Sequence, residues 1–438
     1  MGINRIERTD DGTINYAGLV LIVNMLKKAG LHKVSKKYSR VGYVRISNFE
    51  VLATYCCLLA QGKSDYEQVR VFKGDKAYLE LTKLKSVPSA ETLRQRLDVI
   101  GKNDLFVEDI RKCSITFWKE TGKKPGVEQV GNEEYIRLDI DTVPYDNTDT
   151  KKEGVARIKG SAVFGYNPIF AHLGADGWMI NAALRPGNYH SHNPENVDFI
   201  KESVSCALGL VGSKNLMVVV DAGFDSKEVL EFLESSSVKY VVKHNIRRTN
   251  PVEWIRIAKE HGCLVQKKEY TEKYRGSFIH SSGRRLVFEV TLKYADKRGQ
   301  LFIIPEVSVF SVWTNIKASE EDILKAYRRR GTSEQYHSEV KTEIGIERFP
   351  SGKFSTNNLI LILAMLVYNI LRFIGNDLAN RRLFGLRKAT RRRLRTVIHG
   401  LMYMAGRIVV HSRQVILKLK AHRDWYAAFC RLYRLCVT

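Results

Sequence analysis

The chain has 438 residues, 44% of them hydrophobic, enough for a sizeable core and two or three domains. Its 71 lysines and arginines against 47 acidic residues give a formal charge of +24, which favours a polyanionic partner, most simply nucleic acid. Of the seven cysteines Cys56 and Cys57 are adjacent and the other five scattered, without paired C-x-x-C spacing, which argues against a zinc ribbon or a secreted disulfide framework and for reduced thiols.

In chain order, Arg5, Glu7, Arg8, Asp10 and Asp11 precede the first apolar run, which is no signal-peptide layout. Residues 1–130 read as helical. "YAGLVLIVNMLKKAGL" and "NFEVLATYCCLLAQG" have helical apolar spacing and stop near Gly30 and Gly62. Shorter helices follow, with Ser64 and Ser89 at N-cap positions. The pattern changes near residue 134. "EYIRLDIDTV" predicts a strand ending in aspartates. "SAVFGYNPIFAHLG" and "WMINAALRPG" predict strands joined at "ADG". A helix over about 194–210, the strand "NLMVVVDAGFD", the helix "SKEVLEFLES" and the strand "VKYVVKHN" complete a mixed sheet covered by helices. Asp225 is read as the N-cap of that last helix. Residues 262–316 read as a β-strand insertion, residues 317–376 as helical, and residues 377–438 as basic amphipathic helices. "LILILAMLVYNILRFIG", Leu359–Gly375, is interrupted by Asn369 and Arg372 and falls short of the ~20 apolar residues of a membrane span. It reads as a buried core helix capped by Ser355 or Thr356, so the protein is expected to be soluble and intracellular, with no membrane partner.

The stretch "YRRRGTSEQYHSEVK" sets Glu334 among cations. On one helix, Tyr327, Arg330, Glu334 and Lys341 fall within an arc of roughly 60°, while Glu339 lies off that face. A surface pair of Glu334 with Arg330 at i−4 would explain this helix alone. Asp141 and Asp221 close two predicted strands, however, and strand ends in open sheets are where ligands gather. Three carboxylates there suit divalent ions, which prefer hard oxygen ligands and leave positions open for water and phosphate. Asp139 shares the strand face of Asp141 and competes for the role of first ligand.

The spacing Tyr-x2-Arg-x3-Glu-x6-Lys resembles the YREK signature of the DDE transposases of bacterial insertion sequences. "LDIDTVPYDN", "VVVDAGFDS" and the segment from Tyr336 to Gly375 most resemble the insertion-sequence group numbered thirteen-eighty. The resemblance implies an α/β fold. An RNase H-like mixed sheet flanked by helices would be divided as 131–261 and 317–376, with the insertion at 262–316 between them. A helical N-terminal DNA-binding domain (1–130) would precede it, and a basic helical C-terminal region (377–438) would follow. It implies catalysis and metal binding by Asp141, Asp221 and Glu334, with two Mg2+ ions for which Mn2+ can substitute. The family's first aspartate is usually followed by a hydroxyl residue, here Thr142, which favours Asp141 over Asp139. Tyr327, Arg330 and Lys341 would stand near DNA phosphates. Partners would be double-stranded DNA with terminal inverted repeats, target DNA and a second subunit in the DNA complex, all in the bacterial cytoplasm at the nucleoid.

Arg94, Gln95 and Arg96 could read base edges from a recognition helix. Arg391, Arg392 and Arg393, with Arg395, suit phosphate binding. Lys243, His244 and Arg247 could line the DNA channel. Trp254 and Trp313 read as core residues, although an insertion aromatic can stack on a flipped base in relatives. His337 reads as a bystander. Two other functions are weighed: a degenerate DNA-binding protein, and an RNase H-like nuclease that cuts without joining.

Overall fold

The computed structural model describes residues 12–39, 45–189, 194–212, 215–246, 250–296, 298–380, 391–411 and 414–437. The N-terminal part is helical, as its apolar spacing predicts. After a short strand β1 (Thr13–Ile14) come α1 (Leu19–Lys28), α2 (Leu31–Lys37), α3 (Asn48–Leu59), a 3-10 helix (Tyr66–Phe72), α4 (Lys76–Thr82), α5 (Ala90–Gly101) and α6 (Asp104–Glu120). Ser89 caps α5 through the Thr92 amide. Ser64 is not a cap: Asp65 caps the 3-10 helix, and the Ser64 hydroxyl donates to Gly345 O at 2.7 Å.

A large sheet follows, made from β2 (Glu128–Val130), β3 (Glu133–Thr142), β7 (Ile169–Leu173), β8 (Trp178–Ala183), β9 (Leu216–Val220) and β10 (Lys239–Lys243). A small separate sheet holds β4 (Tyr145–Asp146), β5 (Ala156–Arg157) and β6 (Phe164–Tyr166). The strand order β8-β7-β3-β9-β10 is antiparallel on the β7 side and parallel through β9. The crossovers are α7 (Pro194–Val211) and α8 (Lys227–Ser235). Ser226, not Asp225, caps α8; Asp225 instead accepts from the Asn245 amide at 2.7 Å, tying the ends of β9 and β10 together.

The insertion extends this sheet. Beyond α9 (Pro251–His261) run β11 (Gly262–Lys268), β12 (Thr271–Ile279), β13 (Arg285–Ala295) and β14 (Leu301–Thr314). The far end of β14 pairs with β10, so ten strands form one sheet. The pattern of β12, "TEKYRGSFI", mixes charge with half-buried aromatics and carries no clean alternation, which hid it in the sequence.

α10 (Glu320–Arg328) and α11 (Gly331–Ser338) lead into a π turn (Glu339–Glu343) and then α12 (Phe354–Asn380). α12 starts before Ser355 and Thr356, and the Thr356 hydroxyl bonds Asp98 at 2.6 Å instead of capping. It is the one helix among the described residues long and apolar enough to cross a membrane, and it is buried. One hydrophobic core joins the N-terminal helices, α12 and the C-terminal segment. Two further cores lie on opposite faces of the large sheet.

The C-terminal segment is not wholly helical. α13 (Leu394–Val397) and a second π turn (Ile398–Met402) precede a hairpin of β15 (Ala405–His411) and β16 (Gln414–Lys420), and α14 (Arg423–Val437) ends it. β-Branched Ile408, Val409, Val415 and Ile416 favour the extended chain, and β1 completes a three-stranded sheet with the hairpin.

Candidate active site

Strand alternation sets the site. On β3, Leu138 and Ile140 enter the core packed against α7, which leaves Arg137, Asp139 and Asp141 on the other face. β9 lies parallel beside it with Ile140 opposite Val220, so Asp141 and Asp221 are the next residues along neighbouring strands. Asp221 also caps the following 3-10 turn, accepting from the Gly223 amide at 2.8 Å.

Arg330 descends onto this face from the α10–α11 junction. Its Nε donates to Asp139 Oδ1 at 3.1 Å, and Nη2 stands 2.7 Å from Asp141 Oδ1. Nη1 donates to the Tyr327 hydroxyl at 3.3 Å. One turn on, Ser333 Oγ donates to Asp139 Oδ2 at 2.8 Å, and His337 Nδ1 lies 4.0 Å from Asp141 Oδ2. Burial pushes the Asp141 carboxyl up to about 7; Asp139 and Asp221 push the same way, and the Arg330 charge offsets this only in part. Burial also pushes His337 down to about 4 and His172, whose ring lies 5.2 Å from it, well below the usual imidazole range. Both rings are therefore neutral near pH 7 and form an aromatic floor behind the aspartates.

Glu334 is exposed on the first turn of α11. Arg330 at i−4 and His337 at i+3 both approach Asp141, and Glu334 lies between them along the chain at the start of α11. Among the described residues no three His, Cys, Asp or Glu side chains form a ready metal cage. The donor set is hard oxygen, and Asp141 is raised chiefly by burial, with smaller contributions from Asp139 and Asp221. Asp141 and Asp221 thus offer adjacent carboxylates of the kind a divalent cation takes.

The expected row on one helix is broken. α10 stops at Arg328, and the π turn swings Lys341 aside, where its ammonium meets Pro144 O at 3.1 Å and Glu347 at 2.9 Å. Open space surrounds the position a Cβ on Gly331 would take. Tyr327 packs on Phe310, with ring centroids 5.5 Å apart, and the Lys243 ammonium lies 3.4 Å above the Phe310 ring. Burial and Arg328 push Lys243 down to about 8.

The family model described as "Transposase DDE domain group 1" matches residues 14–435. The chain belongs to that DDE transposase family. A search of curated protein sequences finds no relative. Among solved structures, a piggyBac transposase synaptic complex with hairpin DNA is similar at 12% identity and a TM-score of 0.45, covering 90% of this chain and 83% of that one. That likeness is too distant to carry any argument about the site.

The other basic candidates of this DDE-family chain divide into two kinds. Arg94 and Gln95 are exposed on α5, each bonded to Glu91. Arg96 turns inward and donates to Ile46 O at 3.1 Å and to Asn48, holding α5 against the start of α3 rather than facing a groove. Arg391 is also drawn inward, to Glu339 and Gln335. Arg392 is half-buried, while Arg393 and Arg395 are exposed and tied to Glu343, by a side chain and by a backbone amide. His244 bonds Ser311 at 3.0 Å and packs on Trp313 and Trp254, and both indoles are buried core. Arg247 lies outside the described residues. The sequence reading missed Ser333, whose spacing of three from Arg330 was the available signal, and the structural work of Asp139.

Proposed function

We propose that this chain is a DNA transposase of an insertion sequence of the thirteen-eighty group, with the YREK residues in their family roles. It binds terminal inverted repeats, cuts at the element ends and joins the freed 3′-hydroxyls to target DNA. The observation that carries this reading is the meeting of Asp141 and Asp221 at adjacent parallel strand ends beneath Arg330, in a chain of the DDE family. The strand order β8-β7-β3-β9-β10 supports an RNase H-like core for the catalytic part.

Asp141, Asp221 and Glu334 are the catalytic and metal-binding residues in this reading. Mg2+ bound there would activate an attacking oxygen and stabilise the leaving one in phosphodiester chemistry. Asp139 holds Arg330 and Ser333, which fixes the helix over the strand ends. Tyr327 orients Arg330 through its hydroxyl, and in this reading both stand near the DNA backbone, which Lys341 reaches only by releasing Glu347. Arg94 and Gln95 offer an exposed contact to the duplex. The enzyme works as a homodimer on paired ends, in the bacterial cytoplasm.

The test is a supercoiled donor plasmid carrying the DNA that flanks the gene. The reading predicts Mg2+-dependent cuts at inverted repeats, followed by joined products. Cuts without joining would indicate a nuclease, and mobility shifts without cuts a binding protein.

A further inference from the structure

The run Arg391–Arg395 looks like a phosphate-binding patch by composition, yet its first arginine is spent elsewhere. The π turn directly after α11 carries Glu339 and Glu343 into the interior, both with side chains at most 1% exposed. Glu339 receives the wholly buried Arg372 and, from the C-terminal segment, Arg391, whose Nη1 lies 3.2 and 3.1 Å from its two carboxylate oxygens. Arg391 Nη2 donates to Gln335, the neighbour of Glu334, and its guanidinium lies 4.8 Å from the Tyr336 ring centre. The Arg393 side chain and the Arg395 amide reach Glu343 at 2.7 and 2.6 Å.

We infer that Arg391 is a positioning residue, a strap that sets α11, and with it Glu334, by tying the C-terminal segment to Glu339 and Gln335. Charge accounting makes this separable from folding. Arg372 and Glu339 remain a neutral buried pair when Arg391 is removed, so no buried charge is orphaned. The π turn that ends α11 supplies the inward glutamate that the strap grips.

The inference rests on the transposase reading for its kinetic consequence but not for its structural one, so the experiment has two arms. In the metal-free, DNA-free protein, hydrogen exchange at the amides of 331–343 is compared for wild type, Arg391→Ala and Gln335→Ala. Both variants are expected to exchange faster there and unchanged in α1–α6. Unchanged exchange in α11 overturns the strap, whatever the enzyme does. In the second arm, cleavage is measured at saturating DNA. Arg391→Ala is expected to be slower by about tenfold to a hundredfold, the effect of shifting a reacting group by roughly an ångström, with end affinity and its salt dependence intact. A weaker affinity with a salt slope smaller by about 1, and normal cleavage at saturation, would make Arg391 a phosphate contact instead. If wild type itself fails to cut, the transposase reading falls while the exchange arm still decides the strap.

Discussion

Arg330 and Asp141 stand 2.7 Å apart, a helix cation held against a strand-end carboxylate. The same guanidinium grips Asp139, which is 2% exposed. Asp139 keeps Arg137 at 3.7 Å and the Ser333 hydroxyl, and Asp141 can take up a proton, so Arg330→Ala is expected to cost about 1–3 kcal/mol of stability. Denaturant unfolding measures this, and Arg330→Lys should recover part of the loss. It cannot recover all, because one ammonium cannot span both carboxylates as the planar fork does.

Asp141 gives a pH signature. Its folded value of about 7 lies above the ordinary unfolded value near 3.9, so the folded state binds the extra proton between them. The contribution from this group is fully present below about pH 4 and is lost as pH rises through about 7. In metal-free protein, Asp141→Asn should therefore flatten the fall in stability across that window, measured as unfolding midpoints at successive pH values.

Neighbouring arginines on α5 should behave differently. Arg94 is exposed, and its alanine variant is expected to weaken DNA binding and lower the salt slope by about 1, without a shift in melting. Arg96 holds Ile46 O and Asn48. Its alanine variant should instead lower stability by about 1 kcal/mol, the cost of leaving part-buried acceptors unpaired. Binding titrations at several salt concentrations, with thermal melts alongside, separate the two.

Gly177 turns the β7–β8 hairpin at φ 71°, and a Cβ there would meet the Tyr336 ring at 2.4 Å. Tyr336 belongs to α11, so Gly177→Ala strains the turn and pushes on the helix that carries Glu334. A loss of about 1–3 kcal/mol is expected from the backbone alone, read as a lower melting temperature.

Much of this was legible in the sequence. The two aspartates at strand ends, the order of strands and crossovers, and the buried character of α12 followed from alternation and apolar spacing. What failed did so where tertiary contacts override local pattern. Lys341 left its expected row because a π turn adds a residue to the helix, which a wheel of constant pitch cannot show. Arg96 and Arg391 look like surface cations until their acceptors, at Asn48 and Glu339, are brought in from distant parts of the chain. The hairpin over 405–420 was read as helix because its lysines and arginines mask short β-branched runs that pair with each other, Val409 opposite Ile416.

The central proposal is that Asp141, Asp221 and Glu334 together hold divalent cations beside a DNA end. Electron paramagnetic resonance of Mn2+ titrated into the protein bound to its own element ends reads this directly. The account predicts bound Mn2+ for wild type, and loss of that signal in Asp141→Asn, Asp221→Asn and Glu334→Gln while each still binds the DNA. Unchanged Mn2+ binding in any one of the three would remove that residue from the site, and unchanged binding in all three would contradict the account.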